Sequence, residues 1–107
     1  MKQPEIKVAR SSDIKEGKKL ALTVNGKKIV LIRHRGNLFV LSNVCPHQGA
    51  PLSDGVTDNG HIVCKYHGWR FRLQDGSFSG NPNLKIATYA VSEREDCVYV
   101  CLQGKAR

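Results

Sequence analysis

Two short stretches, Cys45-Pro46-His47 and Cys64-Lys65-Tyr66-His67, decide how this sequence is read. Each offers one thiol and one imidazole, and sixteen residues separate them. A thiolate is a soft anionic donor, and a neutral imidazole is a borderline one. Two of each can hold zinc tetrahedrally, or a [2Fe-2S] centre with two Cys on one iron and two His on the other. In Cys-x-His and Cys-x-x-His a single tight turn lets both side chains converge on neighbouring metal atoms. Gly49 and Gly68 closely follow the two histidines. Gly and Pro in such loops supply the turn geometry and let backbone N–H groups approach a sulfur. A lone Cys or His usually packs in a core or sits on the surface, but paired mixed motifs in Gly/Pro-rich loops point to metal ligation. Structural zinc sites tend to pair Cys with Cys and His with His, whereas each loop here mixes the two.

Outward from these loops the chain is densely punctuated and its apolar runs are short, which predicts an antiparallel β framework. Ile6-Lys7-Val8-Ala9 reads as a first strand. Ser11 to Gly17 suits a single helical turn, capped by Ser or Asp at its start and ended by Gly, and at most one such turn is expected. Leu20–Val24 and Lys27–Ile32 flank Asn25-Gly26, a type I′ hairpin signal. Arg35-Gly36-Asn37 turns the chain into Leu38–Leu41. Asp58-Asn59-Gly60 separates two short strands, the second being His61–Cys64. Arg70–Leu73 reads as a strand, Gln74–Ser77 as a turn, and Ser79-Gly80-Asn81-Pro82-Asn83 as a rigid loop, with Pro82 placed to close over the metal. Lys85–Val91 and Cys97–Leu102 form a last β pair. The expected architecture is all-β: one domain over residues 1–107, with a metal-binding lobe of about 44–72 inserted into the framework.

The spacing Cys45-x-His47-x₁₆-Cys64-x-x-His67 resembles the Rieske iron–sulfur motif. So do its surroundings, Asn43-Val44-Cys45-Pro46-His47-Gln48-Gly49-Ala50-Pro51-Leu52 and Cys64-Lys65-Tyr66-His67-Gly68-Trp69, together with the Asp75-Gly76 turn and the loop around Gly80 and Pro82. The resemblance runs from the first strand to Leu102. It implies one [2Fe-2S] cluster, with Cys45 and Cys64 on one iron and His47 and His67 on the other. The histidine-held iron is expected to accept the electron, near the surface. Two neutral imidazoles in place of two thiolates remove negative charge, which makes an added electron easier to accept.

Three departures narrow the type. Rieske subunits of respiratory and photosynthetic cytochrome complexes carry a disulfide between the two loops, but Ala50 and Tyr66 occupy those places here. Those subunits also set Ser and Tyr hydroxyls against the cluster, where this chain has Trp69 and Phe71. Finally, they have a membrane anchor, and no stretch of this sequence approaches the roughly 20 apolar residues of a span. Rieske oxygenase large subunits share the Tyr66-His67-Gly68-Trp69 wording but add a domain with a mononuclear iron held by two His and a carboxylate. Only His34 and His61 remain for such a site, and the chain is too short for that domain. The similarity that remains is to small Rieske-type ferredoxins. It implies a one-electron carrier, not itself an enzyme, between a flavin-dependent reductase and a terminal oxygenase. The small Rieske subunit of an assimilatory nitrite reductase, working with its large subunit, is the alternative. A non-redox zinc module used for interaction is a third reading.

The net charge is +8. Residues 1–35 hold ten Lys or Arg against three acids, and residues 36–107 hold seven against six. Such an imbalance is a solvated basic face or a docking surface for an acidic partner. The basic residues are not interleaved with aromatics, so nucleic acid is not the expected partner. The charged start, Met1-Lys2-Gln3-Pro4-Glu5, lacks the apolar run of a secretory signal, and a cytoplasmic location is expected. Cys97 and Cys101 sit four apart on one strand, with Cα atoms roughly 13 Å apart, too far for a disulfide. Both read as small buried hydrophobes facing the same way as Tyr99. His34 is expected to be an exposed turn residue, His61 structural, Trp69 packed beneath the loops, and Lys65 exposed and the best single candidate for a partner contact.

Overall fold

The structure, a computed structural model, describes residues 5–46, 49–66 and 68–102. Its strands in chain order are β1 (Ile6–Arg10), β2 (Lys19–Val24), β3 (Lys27–His34), β4 (Asn37–Ser42), β5 (Val56–Asp58), β6 (His61–Val63), β7 (Arg70–Arg72), β8 (Ser77–Phe78), β9 (Asn81–Lys85), β10 (Thr88–Arg94) and β11 (Cys97–Cys101). They build two antiparallel sheets, one in the order β1-β11-β10-β4-β3-β2 and one in the order β5-β6-β7-β8-β9. The all-β framework expected from the sequence is therefore present. The second sheet runs on to Lys85, past the 44–72 expected for the lobe, because Asn81–Lys85 is an edge strand rather than a loop. Pro82 is tolerated there, since an edge strand needs no N–H from it on its open side. A second short 3-10 turn, Leu52–Asp54, joins the expected one at Ser11–Asp13.

Four hairpins close on two-residue turns with positive φ at both positions: Asn25-Gly26, Arg35-Gly36, Asn59-Gly60 and Glu95-Asp96. That is the type I′ pattern, whose twist matches that of the flanking strands. The last pair lacks the usual glycine and carries its strain in two acidic residues.

The apolar runs explain the layering. In β3, Ile29, Val30, Leu31 and Ile32 are all fully buried. Alternate residues point to opposite faces of a strand, so β3 is covered on both. Ile29 and Leu31 join one core with Ile14, Val40, Tyr89, Val98 and Val100. All six strands of the first sheet contribute to that core, so the sheet curls round it. Val30 and Ile32 join a second core with Leu41, Leu52, Ile62, Phe71 and both Cys45 and Cys64. The central strands thus form a wall with the lobe that carries Cys45 and Cys64 packed on its far side.

Several side chains sit differently from their sequence expectation. His34 is not a turn residue: it ends β3 opposite Asn37, half-buried, and its Nε2 is enclosed with no hydrogen-bond partner among the described residues. Cys101 is buried, but Cys97 is only half-buried, because Val98 and Val100 take the core-facing positions of β11.

Arg33 ties the curled sheet together. It makes two hydrogen bonds to the Glu93 carboxylate, at 2.8 and 3.1 Å. Its Nε donates to the Ile14 carbonyl at 2.7 Å, which anchors the Ser11–Asp13 turn. The Arg33 guanidinium, above all its hydrogen bond, holds the Glu93 carboxyl below the usual glutamate range. A carboxyl whose pKa is lowered on folding binds fewer protons in the folded chain. Its contribution is complete above the ordinary value and is lost as pH falls through that value toward the folded one. Arg33→Met should cost about 1–2 kcal/mol at neutral pH, and that difference should shrink as pH drops below about 4. Thermal unfolding of both proteins followed by circular dichroism at the two pH values checks this; a constant difference would contradict it.

Candidate metal centre

The two cysteine loops are built alike. The Cys45 N–H donates to the Ala50 carbonyl at 2.9 Å, and the Cys64 N–H donates to the Trp69 carbonyl at 2.7 Å. Each loop therefore closes on the fifth residue after its cysteine. Each also has a glycine four residues after the cysteine in the left-handed region, Gly49 at φ 73° and Gly68 at φ 66°. A side chain is strained there, so these two positions account for the Gly the sequence placed after each His. An isolated bridge between Val44 and Pro51 further narrows the first loop.

These closures turn both thiols inward. Cys45 is 0% exposed and Cys64 is 2% exposed, while Pro46, Gly49, Lys65, Tyr66 and Gly68 are exposed. Both thiols belong to the same buried core. Burial pushes the Cys64 thiol up, and the adjoining Cys45 adds to that rise, while the Tyr66 N–H donates toward the Cys64 sulfur and opposes it. Two thiols buried in one apolar core are poorly placed as bare anions. Cationic iron between them would supply the missing charge, so the donor set fits a metal. His47 and His67 lie outside the described residues.

Residues that the sequence reading passed over hold the loops. Asn43 is buried at the end of β4. Its Oδ1 accepts from the Ser53 N–H at 2.7 Å, its Nδ2 donates to Ser53 Oγ, and its backbone N–H donates to the Lys28 carbonyl. The first loop is thereby locked at both ends. Its sequence signal is a polar residue directly after an apolar strand. Beneath the second loop Trp69 stacks on Phe78 with ring centroids 4.2 Å apart, and Phe71 leans on both rings. Trp69 therefore packs as expected. The Asp75 carboxylate accepts from both the N–H and the hydroxyl of Ser77, which holds it below the usual aspartate range. His61 starts β6, and its Nδ1 is 3.1 Å from the Asn59 carbonyl.

The model of the Rieske [2Fe-2S] domain matches residues 5–90. The chain belongs to the Rieske [2Fe-2S] family. It is 37% identical over 92 residues to the ferredoxin component of naphthalene 1,2-dioxygenase/salicylate 5-hydroxylase systems of a Ralstonia species, covering 85% of this chain and 88% of that protein. It is 30% identical over 97 residues to human apoptosis-inducing factor 3, covering 90% of this chain but only 16% of that protein. In the solved reduced complex between oxygenase and ferredoxin of carbazole 1,9a-dioxygenase, a chain superposes with a TM-score of 0.84 at 31% identity. That match covers 96% of this chain and 29% of the other. A Rieske domain holds one [2Fe-2S] cluster, so the cofactor expected from the sequence stands. Among the described residues no helix is long and apolar enough to cross a membrane.

The two Rieske loops meet where Gly55 ends the Leu52–Asp54 turn. A Cβ at Gly55 would collide with the Val63 carbonyl, one residue before Cys64. Gly55→Ala should therefore push the loops apart, with a loss of at least about 2 kcal/mol and weaker iron retention. Chemical denaturation and iron content after desalting test this together; an unchanged midpoint and full iron would exclude the contact as a constraint.

Proposed function

We propose that this Rieske protein is a cytoplasmic one-electron carrier, taking electrons from a flavin-dependent reductase and passing them to a terminal oxygenase. Cys45 and Cys64 bind one iron of the cluster, and His47 and His67 bind the other. The observation that carries the reading is that two matched loops bury Cys45 and Cys64 in one core just beneath exposed loop residues. Bound there, the cluster supplies a single reversible electron. The chain contributes the rest. Leu52, Ile62, Phe71 and Cys45 itself keep water from the sulfur side. The Tyr66 N–H donates toward the Cys64 sulfur and favours its negative charge. The exposed Pro46, Gly49, Tyr66 and Gly68 leave a partner only a thin layer of protein to cross. The near-complete coverage of a relative named as a ferredoxin component supports a carrier over a catalyst.

Purified protein is expected to absorb visible light, to hold iron and acid-labile sulfide at two of each per chain, and to give an EPR signal after dithionite. Cys45→Ser and Cys64→Ser should each abolish all three. Colourless protein with one zinc per chain would instead establish the zinc-module reading.

Trp69 and Phe71 stand where a hydroxyl would stabilise the reduced state, and their rings pack against Phe78 instead. Fewer hydrogen bonds to the sulfurs lower the potential. The midpoint should lie near the low end of the Rieske range, at about −150 to 0 mV. A spectroelectrochemical titration giving a value near +300 mV would contradict this.

A further inference from the structure

The basic first third of the chain is not one face. Strand register divides it between the two ends of the first sheet. Ile29 pairs with Ser42, and the Asn43 N–H bonds the Lys28 carbonyl, so the β2–β3 turn lies beside the start of the first cysteine loop. Lys27 and Lys28 therefore stand at the metal end, both exposed. Lys85 joins them through the β9–β10 link, where the Ser42 N–H bonds the Ala87 carbonyl. Lys65 lies in the second loop itself, next to Cys64. Arg10, Lys15, Lys18, Lys19, Arg33 and Arg35 stand at the opposite end, near β3's last residues.

The acids are divided as well. Asp13, Glu16, Glu93, Glu95 and Asp96 stand at the far end, where Glu16 accepts from the Arg35 and Gly36 N–H groups and Glu93 binds Arg33. On the side of the cysteine loops stand Asp54, exposed, Asp75, engaged by Ser77 and lying 3.9 Å from Arg72, and Asp58 of the second sheet, which pairs with Arg70, while Glu5 beside β1 pairs with Arg94. Every described ion pair uses an arginine, and no lysine takes part in one. Two exposed apolar side chains belong to the same segments: Val44, 38% exposed, follows Asn43, which bonds Lys28, and Tyr66, 47% exposed, follows Lys65.

An apolar centre with a charged rim is how a transient protein interface is built. Rim charges mainly set the association rate and its salt dependence. We infer that the metal end is a docking surface for an acidic protein face, with Val44 and Tyr66 at its centre and Lys27, Lys28, Lys65 and Lys85 as its steering rim. The partner is the carrier's redox partner, and the inference rests on the carrier reading above.

Small probes of opposite charge test the field at this end without the partner. The dithionite-reduced holoprotein gives one electron to hexacyanoferrate(III), forming hexacyanoferrate(II), or to tris(phenanthroline)cobalt(III), forming the cobalt(II) complex. Stopped-flow rates should fall about tenfold for the anion, and rise for the cation, as ionic strength goes from about 10 to about 300 mM. The triple variant Lys27→Gln, Lys28→Gln, Lys65→Gln should cut the anion's salt dependence about threefold or more, while Lys15→Gln, Lys18→Gln, Lys19→Gln, with the same net charge, leaves it nearly unchanged. Binding of a fluorescently labelled glutamate-rich peptide, read by anisotropy, should weaken in the first variant only. Equal effects of the two variants would overturn the docking surface, and so would tighter binding of an oligothymidylate of equal length. Protein that accepts no electron from dithionite would instead overturn the carrier reading, and the peptide measurement would still judge the surface.

Discussion

Everything in the lobe depends on two thiols being buried together in one apolar core. Left as anions they would repel each other and lack solvation, and burial already pushes the Cys64 thiol up. A cationic centre between the sulfurs, as the proposed ligand set would hold, would offset that cost. Two loops of one design enforce the burial, each with a backbone bond from the cysteine to its fifth successor and a left-handed glycine just before that residue. The intervals from Cys to His differ between the loops, yet the closures match. Among the described residues the loop frame is therefore set by the cysteine and the glycine.

The rest of the molecule keeps that frame rigid. Strand β3 is buried on both faces because the curled sheet lies on one side and the lobe on the other. The sulfur-bearing core is thus continuous with the wall of the framework, through Val30, Ile32 and Leu41. A displacement of the lobe would open apolar surface on the central strands, which costs about 25 cal/mol for each Å² exposed. The Asn43–Ser53 lock and the close approach at Gly55 add directional constraints that burial alone lacks.

Much of this was legible in the sequence because it rests on local chemistry. Asn25-Gly26 and Asn59-Gly60 state their turns through residues that accept positive φ, and the cysteine loops announce themselves by composition. What was not legible depended on pairing at a distance. Asn81–Lys85 contains Pro82 and follows a glycine, so it looked like a loop; it is a strand only because β8 is there to pair with it. Glu95-Asp96 turns the chain without a glycine because β10 and β11 are already aligned on either side. His34 seemed exposed between two arginines, but the register of β3 carries it into the fold. Asn43 stands out only as a polar residue after an apolar strand; its partner Ser53, beyond the first cysteine loop, is visible only in the fold.

The charges complete the division of labour. Arginines are spent on structure: the planar guanidinium of Arg33 binds a carboxylate through two bonds while also reaching the Ile14 carbonyl, geometry that an ammonium cannot reproduce. Lysines, with compact and strongly hydrated charges, stay out of the described ion pairs and remain available to the solvent field. Five of the nine acids, Asp13, Glu16, Glu93, Glu95 and Asp96, stand at the end away from the cysteine loops, so the charge of the described residues is not spread evenly along the sheet. The residues that stabilise the fold and those that shape its approach to a partner are thus separated both by side-chain type and by position along the sheet.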